Sequence, residues 1–171
     1  MEIREIQKPL KERYREDPQA SRITLHADGA SGEDAMSCSV DLGRLVQEAE
    51  AHTGVGGAGT AACSGDLLLG ALAACAQLTC QMVAANMGVE AKRIEARVEG
   101  DLDLSGTLGV DRDAPVGFAA IRLRFEIDAP EASEEQLESL LAKTERYCTV
   151  LQTLVDPPPV EVQLAAPGGD A

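Results

Sequence analysis

Aromatic residues are scarce in this sequence. They make up 2% of its 171 residues, with no tryptophan, two tyrosines and two phenylalanines. Aromatic rings usually supply a large share of the area buried in a core, so leucine, valine, isoleucine and alanine must fill this one. The length fits one core. We therefore expect a single domain over 19–165, with an N-terminal arm over 1–18 and a flexible tail over 166–171.

Basic residues are also in deficit. The chain carries 15 Lys and Arg against 29 Asp and Glu, a formal net charge of −14. Neutralising the phosphates of nucleic acids or anionic lipids requires a surplus of basic side chains. We therefore expect no nucleic-acid partner and no membrane partner, and the negative charge is typical of a soluble surface.

We also expect no secretion signal and no cofactor site. Residues 1–17 carry charges of both signs without an apolar run. The five cysteines are an odd number without CxxC spacing, which favours a reducing, cytoplasmic location and no metal site. Residues 54–59 formally match GxGxxG. They follow no apolar strand, and no acid lies about twenty residues further on, so no dinucleotide cofactor is expected.

A long uncharged stretch occupies the middle of the chain. Residues 67–89 have no charged side chain and would be long enough to span a bilayer. A helix that is apolar on nearly all sides either spans a membrane or lies buried at a protein centre. Gln77 and two further amide side chains favour the buried position. The helix should begin with Ser64 as its N-cap and end at Gly88.

The remaining elements predict an α+β fold. Ser133 and Gln136 form a capping-box pattern, and leucines at helical spacing carry that helix through Cys148 to Leu154. Residues 48–62 have the composition of a small-residue loop. Five segments have the composition of strands, namely 21–27, 36–42, 93–104, 118–128 and 160–164. Strands in hairpin-like pairs separated by helices predict antiparallel sheets rather than a parallel βαβ sheet.

Three of the five cysteines lie in the predicted helices. Cys75 falls about three turns into the apolar helix, and Cys148 falls in the later one. Cys80 cannot bridge to Cys75, because five residues of helix separate their Cα atoms beyond the limit of about 7 Å. An intrachain partner for Cys75 must come from elsewhere. The alternative is that Cys75 is a small core residue of an alanine- and leucine-rich helix.

Two segments resemble the OsmC/Ohr family. Residues 65–75, Gly-Asp-Leu-Leu-Leu-Gly-Ala-Leu-Ala-Ala-Cys, are similar to the family's Pro-Glu-Glu-Leu-Leu-Leu-Ala-Ala-Leu-Ala-Ala-Cys segment. Residues 145–154 resemble its Cys-Pro-Val-Ser-Arg-Thr-Leu segment, in the same order along the chain. The resemblance covers roughly 21–164. It implies an OsmC-like fold, with antiparallel sheets packed around a long buried central helix in an intertwined homodimer.

The resemblance also implies a reaction. In the family, the cysteine that matches Cys75 is the peroxidatic thiolate, and the one that matches Cys148 resolves it. A thiolate attacks a peroxide oxygen and becomes a sulfenic acid, which a second thiol converts to a disulfide. The implied partners are an organic hydroperoxide substrate and a dithiol reductant, either lipoyl-type or another small dithiol. No cofactor is implied.

The activating groups of the family are not matched in full. Strongly active members carry a glutamate ten residues before the peroxidatic cysteine, where this chain has Gly65, with Asp66 beside it. Ten residues of helix span ~15 Å, so an acid here could reach Cys75 only across a dimer interface. A mid-helix cysteine gains little from its own helix dipole, so an arginine should lower its pKa. The first hairpin offers no clear counterpart of the family's arginine.

Three arginines are candidates for that role, and one further substitution separates the chain from the family. The candidates are Arg13, Arg15 and Arg22, and Thr149 replaces the family's proline after the second cysteine.

Two functions remain. The cysteine pair favours a peroxidase that reduces organic hydroperoxides. The alternative is an OsmC-like binding or structural protein with little or no peroxidase activity.

Overall fold

A 24-residue helix runs through the centre of the chain. The structure is a computed structural model, which describes residues 3–25, 27–31, 37–42 and 45–164. Its helices are α1 (Ile3–Glu16), α2 (Ser64–Met87), α3 (Leu104–Thr107), α4 (Glu134–Tyr147) and α5 (Thr149–Val155). Its strands are β1 (Asp28–Ser31), β2 (Ser37–Asp41), β3 (Val46–Glu50), β4 (Ala62–Cys63), β5 (Arg93–Asp101) and β6 (Ala120–Asp128). The predicted α+β class and long central helix, α2, are confirmed.

The start of α2 differs by one residue from the prediction. The N-cap is Cys63 rather than Ser64, because Cys63 keeps an extended backbone. Its N–H donates to Asp66 Oδ2 at 2.9 Å. The carboxylate thereby satisfies a backbone donor that would otherwise lack a partner at the helix start. Gly88 ends the helix as predicted, with a φ of +73° that suits glycine.

The two-stranded antiparallel sheet of β5 and β6 covers one side of α2. Arg93 pairs with Asp128 at one end and Asp101 with Ala120 at the other. Gln77 of α2 binds this sheet directly. Its Nε2 donates to Ile94 O at 2.7 Å, and its Oε1 accepts the Ala96 N–H at 2.8 Å. The Gln77 amide, which favoured a buried position for the helix, therefore makes its hydrogen bonds inside the fold.

Two helices cover α2 on a second side. Leu140 of α4 packs against Cys80 and Ala84 near the end of α2. Cys148, at the α4–α5 junction, packs against Leu72 and Ala76 nearer its start. Helix α1, within the predicted N-terminal arm, lies against the last turns of α2, where Asn86 donates to Gln7 at 3.2 Å.

By length and composition, α2 could cross a membrane, with a mean hydropathy of 1.7 over its most apolar window. Its place between a sheet and two helices is that of a core helix. One face nevertheless stays open in the single chain. Seven uncharged residues of α2 are exposed on that face, within about 120° of the helix circumference. They are Ser64, Leu68, Ala71, Ala74, Leu78, Met82 and Ala85, called here the open face of α2.

The first four strands form a separate sheet in the order β1-β2-β3-β4. Antiparallel pairing joins β1, β2 and β3, while the short β4 runs parallel to β3. The predicted second strand is confirmed as β2. The predicted loop over 48–62 is partly wrong, because its first residues belong to β3 and its last to β4. The start of the predicted domain at 19 stays a prediction.

Two predicted strands are absent from the described chain. Residues 22–25 and 157–164 form no strand, and 18–21 form a short 3-10 turn. Apolar side chains in both segments are exposed, among them Leu25 at 84% and Val162 at 92%. A segment of alternating polar and apolar side chains forms a strand only if it can pair with the edge of a sheet. The predicted tail over 166–171 lies outside the described residues.

Candidate thiol site

A break between α4 and α5 positions Cys148. The sequence predicted one continuous helix, but Cys148 leaves the helical conformation with φ −75° and ψ 103°, and it is both the C-cap of α4 and the N-cap of α5. The continuous helix is therefore wrong. The family's proline after this cysteine was the available signal, since proline fits the first position of a helix and not its interior. Here Thr149 occupies that first position.

The break brings the thiols of Cys75 and Cys148 together. Cys148 is fully buried, and Cys75 is half-buried on α2 and packs in the same cluster. The polar groups that act on the Cys75 thiol are the Cys148 thiol, the Thr79 hydroxyl and the backbone N–H groups of Thr149 and Val150. The predicted pair of cysteines thus lies side by side, at the start of α5.

This environment lowers the pKa of the Cys75 thiol. Burial alone would raise it, but the Val150 N–H, the Cys148 thiol, the Thr79 hydroxyl and the Thr149 N–H together outweigh burial. The first N–H groups of a helix have no partner within it, so they are free to stabilise a thiolate. Cys75 belongs to the middle of α2, but its side chain lies at the start of α5.

The neighbouring thiol is affected in the opposite direction. Burial raises the pKa of Cys148, the Leu151 N–H opposes this effect, and the Cys75 side chain and its charge raise the pKa further. The two environments therefore assign the negative charge to Cys75 and the proton to Cys148. This arrangement suits disulfide formation, in which Cys75 acts first as the nucleophilic thiolate and Cys148 keeps its proton until the second step.

The expected arginine is not part of this arrangement in one chain. Among the described residues, no lysine, arginine or histidine side chain is a main influence on the pKa of Cys75. Arg13 and Arg15 are exposed on α1, and Arg22 is exposed beyond it. Within one chain, backbone N–H groups, the Cys148 thiol and the Thr79 hydroxyl lower this pKa, and the supporting role expected of an arginine stays a prediction.

Asp66 does not approach Cys75 within one chain either. Nine residues of helix place the two side chains on opposite sides of α2, about 180° apart. The Cys63 N–H, and after it the Cys63 thiol, lower the pKa of Asp66, which fits a capping role. Gly65, at the position of the family's glutamate, borders a cavity of about 210 Å³. A side chain there would begin 3.4 Å from the Phe118 ring.

The other cysteines have structural surroundings. Cys38 lies in β2 and Cys63 caps α2. Cys80 is buried beside the Thr144 hydroxyl, and burial raises its pKa. Within the described part of the chain, no three His, Cys, Asp or Glu side chains form a group that could hold a metal ion.

The chain was compared with known families and structures. Residues 57–163, more than half of the chain, match the family model described as OsmC-like protein. The chain belongs to the OsmC-like family. No curated protein matches its sequence. The match spans both Cys75 and Cys148, and its start at residue 57 leaves α1 and the first three strands of this OsmC-like protein outside the family model.

Solved structures show the same fold at low sequence identity. An OsmC-like protein from Mycoplasma pneumoniae is 20% identical with a TM-score of 0.66, over 78% of this chain and 89% of that one. An organic hydroperoxide resistance protein OsmC from Legionella pneumophila is 19% identical with a TM-score of 0.61, over 80% and 93%. An organic hydroperoxide resistance protein from Elizabethkingia anophelis is 20% identical with a TM-score of 0.58, over 80% and 91%.

Thr79 was missed in the sequence, although it lies one helical turn after Cys75. Replacing it with valine removes the hydroxyl and keeps the shape. A hydrogen bond to a charged group contributes roughly 1.5 kcal/mol, so the pKa of Cys75 should rise when the hydroxyl is removed. Less thiolate then forms at neutral pH, and alkylation of Cys75 by iodoacetamide should slow by about tenfold. The two rates should converge at high pH.

A matched control is Thr144→Val. Thr144 is also buried, but its hydroxyl donates to Leu140 O at 2.8 Å, away from Cys75. The pH profile of Cys75 alkylation, followed by mass spectrometry, should be unchanged in this variant. Identical profiles for Thr79→Val and the unmodified protein would show that the hydroxyl has no part in lowering the pKa.

Proposed function

We propose that this OsmC-like protein is a thiol-dependent peroxidase that reduces organic hydroperoxides. The observation that carries the proposal is that the thiols of Cys75 and Cys148 lie side by side in different surroundings. These surroundings lower the pKa of Cys75 and raise the pKa of Cys148. A buried structural cysteine would have its pKa raised, as Cys80 does. The family resemblance assigns the same two cysteines to this chemistry.

The reaction takes place in two steps. The Cys75 thiolate attacks the terminal peroxide oxygen, an S–O bond forms and the O–O bond breaks. The released alkoxide takes up a proton and leaves as the alcohol, while Cys75 becomes a sulfenic acid. The Cys148 sulfur then attacks the Cys75 sulfur, the disulfide forms and water leaves. A dithiol reductant, lipoyl-type or another small dithiol, reduces the disulfide and is itself oxidised.

Two of the similar structures support this choice. The proteins from Legionella pneumophila and Elizabethkingia anophelis are described as organic hydroperoxide resistance proteins. Because these proteins share the fold of this chain, we propose a role for it in the response to oxidative stress. The cytoplasm, where thiols stay reduced, is the expected location.

The protein is further proposed to act as an intertwined homodimer. The open face of α2 is uncharged, and it lies beside Cys75 on the same helix. A second chain packed there would cover it and could bring its own acid and arginine to the site. Asp66, Arg13 and Arg15 keep their proposed supporting roles only in that arrangement.

The test is an oxidation of the reduced protein by one equivalent of an organic hydroperoxide. Two thiols per chain should disappear, and peptide mapping should find a Cys75–Cys148 disulfide. Cys75 and Cys148 pack in one cluster, so a disulfide between these two residues is the expected product. If no thiol is consumed by any hydroperoxide, the protein is instead an OsmC-like binding or structural protein.

A further inference from the structure

The sheet of β5 and β6 has one face turned away from α2, called here its outer face. Side chains alternate between the two faces of a strand, so each of these nine-residue strands places five side chains on this face. Nine of the ten are charged, five as carboxylates and four as guanidinium groups. The arginines are Arg93, Arg97, Arg122 and Arg124.

Three of these four arginines each contact two carboxylates within 4.0 Å. Arg97, for example, meets Glu95 and Glu126, both at 3.7 Å. Arg124 is the exception. Among the described residues, no carboxylate lies within that distance of its guanidinium group. Arg124 therefore carries the uncompensated positive charge of the outer face.

Arg124 also lies directly opposite another arginine. The antiparallel register pairs it with Arg97, and opposite residues of such a pair have Cβ atoms about 4.5–5.5 Å apart. Like charges in this position destabilise a sheet. The carboxylates that Arg97 meets are shared with Arg93, so they compensate the Arg97–Arg124 pair only in part. An anion bound between the two guanidinium groups would remove the repulsion.

A cleft lies beside this pair of arginines. Its volume is about 220 Å³, and Arg97, Arg122 and Arg124 line it together with Glu99 and Glu126. Both carboxylates are already engaged by arginines of the same face. A guanidinium group presents a planar fork of N–H donors that fits two oxygens of an oxyanion at once. The cleft therefore combines space for a small anion with donors of the right geometry.

We propose that Arg97 and Arg124 form a binding site for a phosphate group. Two guanidinium groups supply two positive charges, which match a phosphate dianion better than a monovalent carboxylate. Either free phosphate or a phosphate monoester can supply this group. The site goes beyond the proposed peroxidase function and does not depend on it, because the thiols lie across the sheet. The inner-face neighbours Val98 and Leu123 pack in the cluster that contains Cys75.

The binding test follows the midpoint of thermal unfolding during titration with inorganic phosphate. The ionic strength is held constant with sodium chloride, at about pH 8, where phosphate carries close to two charges. A ligand that binds the folded chain alone raises this midpoint, and the concentration dependence gives its Kd. Phosphate should raise the midpoint, and acetate at the same ionic strength should raise it less. Equal effects of acetate and phosphate would contradict a site for a dianion.

Arg124→Gln is the variant that separates this site from general charge effects. It should weaken phosphate binding about fivefold or more, the scale of one exposed ion pair. In chloride alone the variant should be at least as stable as the unmodified protein, because the like-charge pair is gone. The matched control is Arg112→Gln, which removes one exposed arginine from the loop after α3 and should leave the phosphate affinity unaltered.

Ethyl phosphate distinguishes the two sources of the group. An affinity equal to that of inorganic phosphate assigns the site to phosphate monoesters, and weaker binding assigns it to the free anion. Cys75→Ser should bind phosphate as the unmodified protein does, so a failure of the peroxidase proposal leaves this test intact. Phosphate affinity that survives Arg124→Gln, or that falls equally in Arg112→Gln, would overturn the proposed site.

Discussion

Cys75→Ser should abolish peroxide consumption, with a loss on the order of 10³-fold or more, the scale seen when an enzyme loses its nucleophile. A serine hydroxyl cannot ionise near neutral pH, so the start of α5 would have no anion to stabilise. Consumption of tert-butyl hydroperoxide with a small dithiol as reductant measures the loss. Cys38→Ser, which changes a thiol in β2 outside the site, should keep full activity.

The companion variant Cys148→Ser should behave differently. Cys75 can still attack the first equivalent of peroxide, but no resolving thiol touches the sulfenic acid. Further peroxide should then carry Cys75 to sulfinic acid, which adds two oxygen atoms to one peptide in the mass spectrum. Earlier oxidation of Cys38, Cys63 or Cys80 than of Cys75 would show that the nucleophile is assigned to the wrong residue.

Leu78→Glu should convert a dimer into a monomer. Leu78 is 58% exposed at the middle of the open face of α2. Burying an ionised carboxylate against an apolar partner surface costs several kcal/mol. Light scattering should give twice the chain mass of 18.0 kDa for the unmodified protein at micromolar concentration and the chain mass for the variant.

Leu108→Glu is the matched control for assembly. Leu108 is 56% exposed but follows α3, away from the open face, so its substitution should leave the dimer intact. Circular dichroism of both variants separates dissociation from unfolding. If the unmodified protein is a monodisperse monomer, the proposal of a dimer built on α2 is wrong.

The regular elements could be predicted because local signals defined them. The uncharged run before Gly88 gave α2, the Ser133 capping box gave the start of α4, and alternation gave β2 and most of β5 and β6. The two cysteines were also predicted as a pair, through the resemblance to the family. Both pack in one cluster against α2, and their pairing and chemical roles stay a proposal.

The remaining features depend on contacts between distant segments. Helical leucine spacing continues across Cys148, because α4 and α5 both pack on α2, so periodicity could not reveal the break. Two of the four groups that lower the pKa of Cys75 are the backbone N–H groups of Thr149 and Val150, which no side-chain pattern encodes. Residues 22–25 and 160–164 alternate like strands, but the described chain offers them no edge with which to pair.

The hydrogen bonds of Gln77 also limit where another strand can be added to the sheet of β5 and β6. The Ala96 N–H donates to Gln77, so it is not available to another strand, and the Ile94 carbonyl beside it is engaged by the same amide. A strand that meets bound backbone groups cannot template a ladder there. Any molecule that adds a strand to this sheet must therefore do so along β6 or farther along β5. The same amide fixes the rotation of α2 about its axis, which keeps Cys75, two residues earlier, directed toward α5.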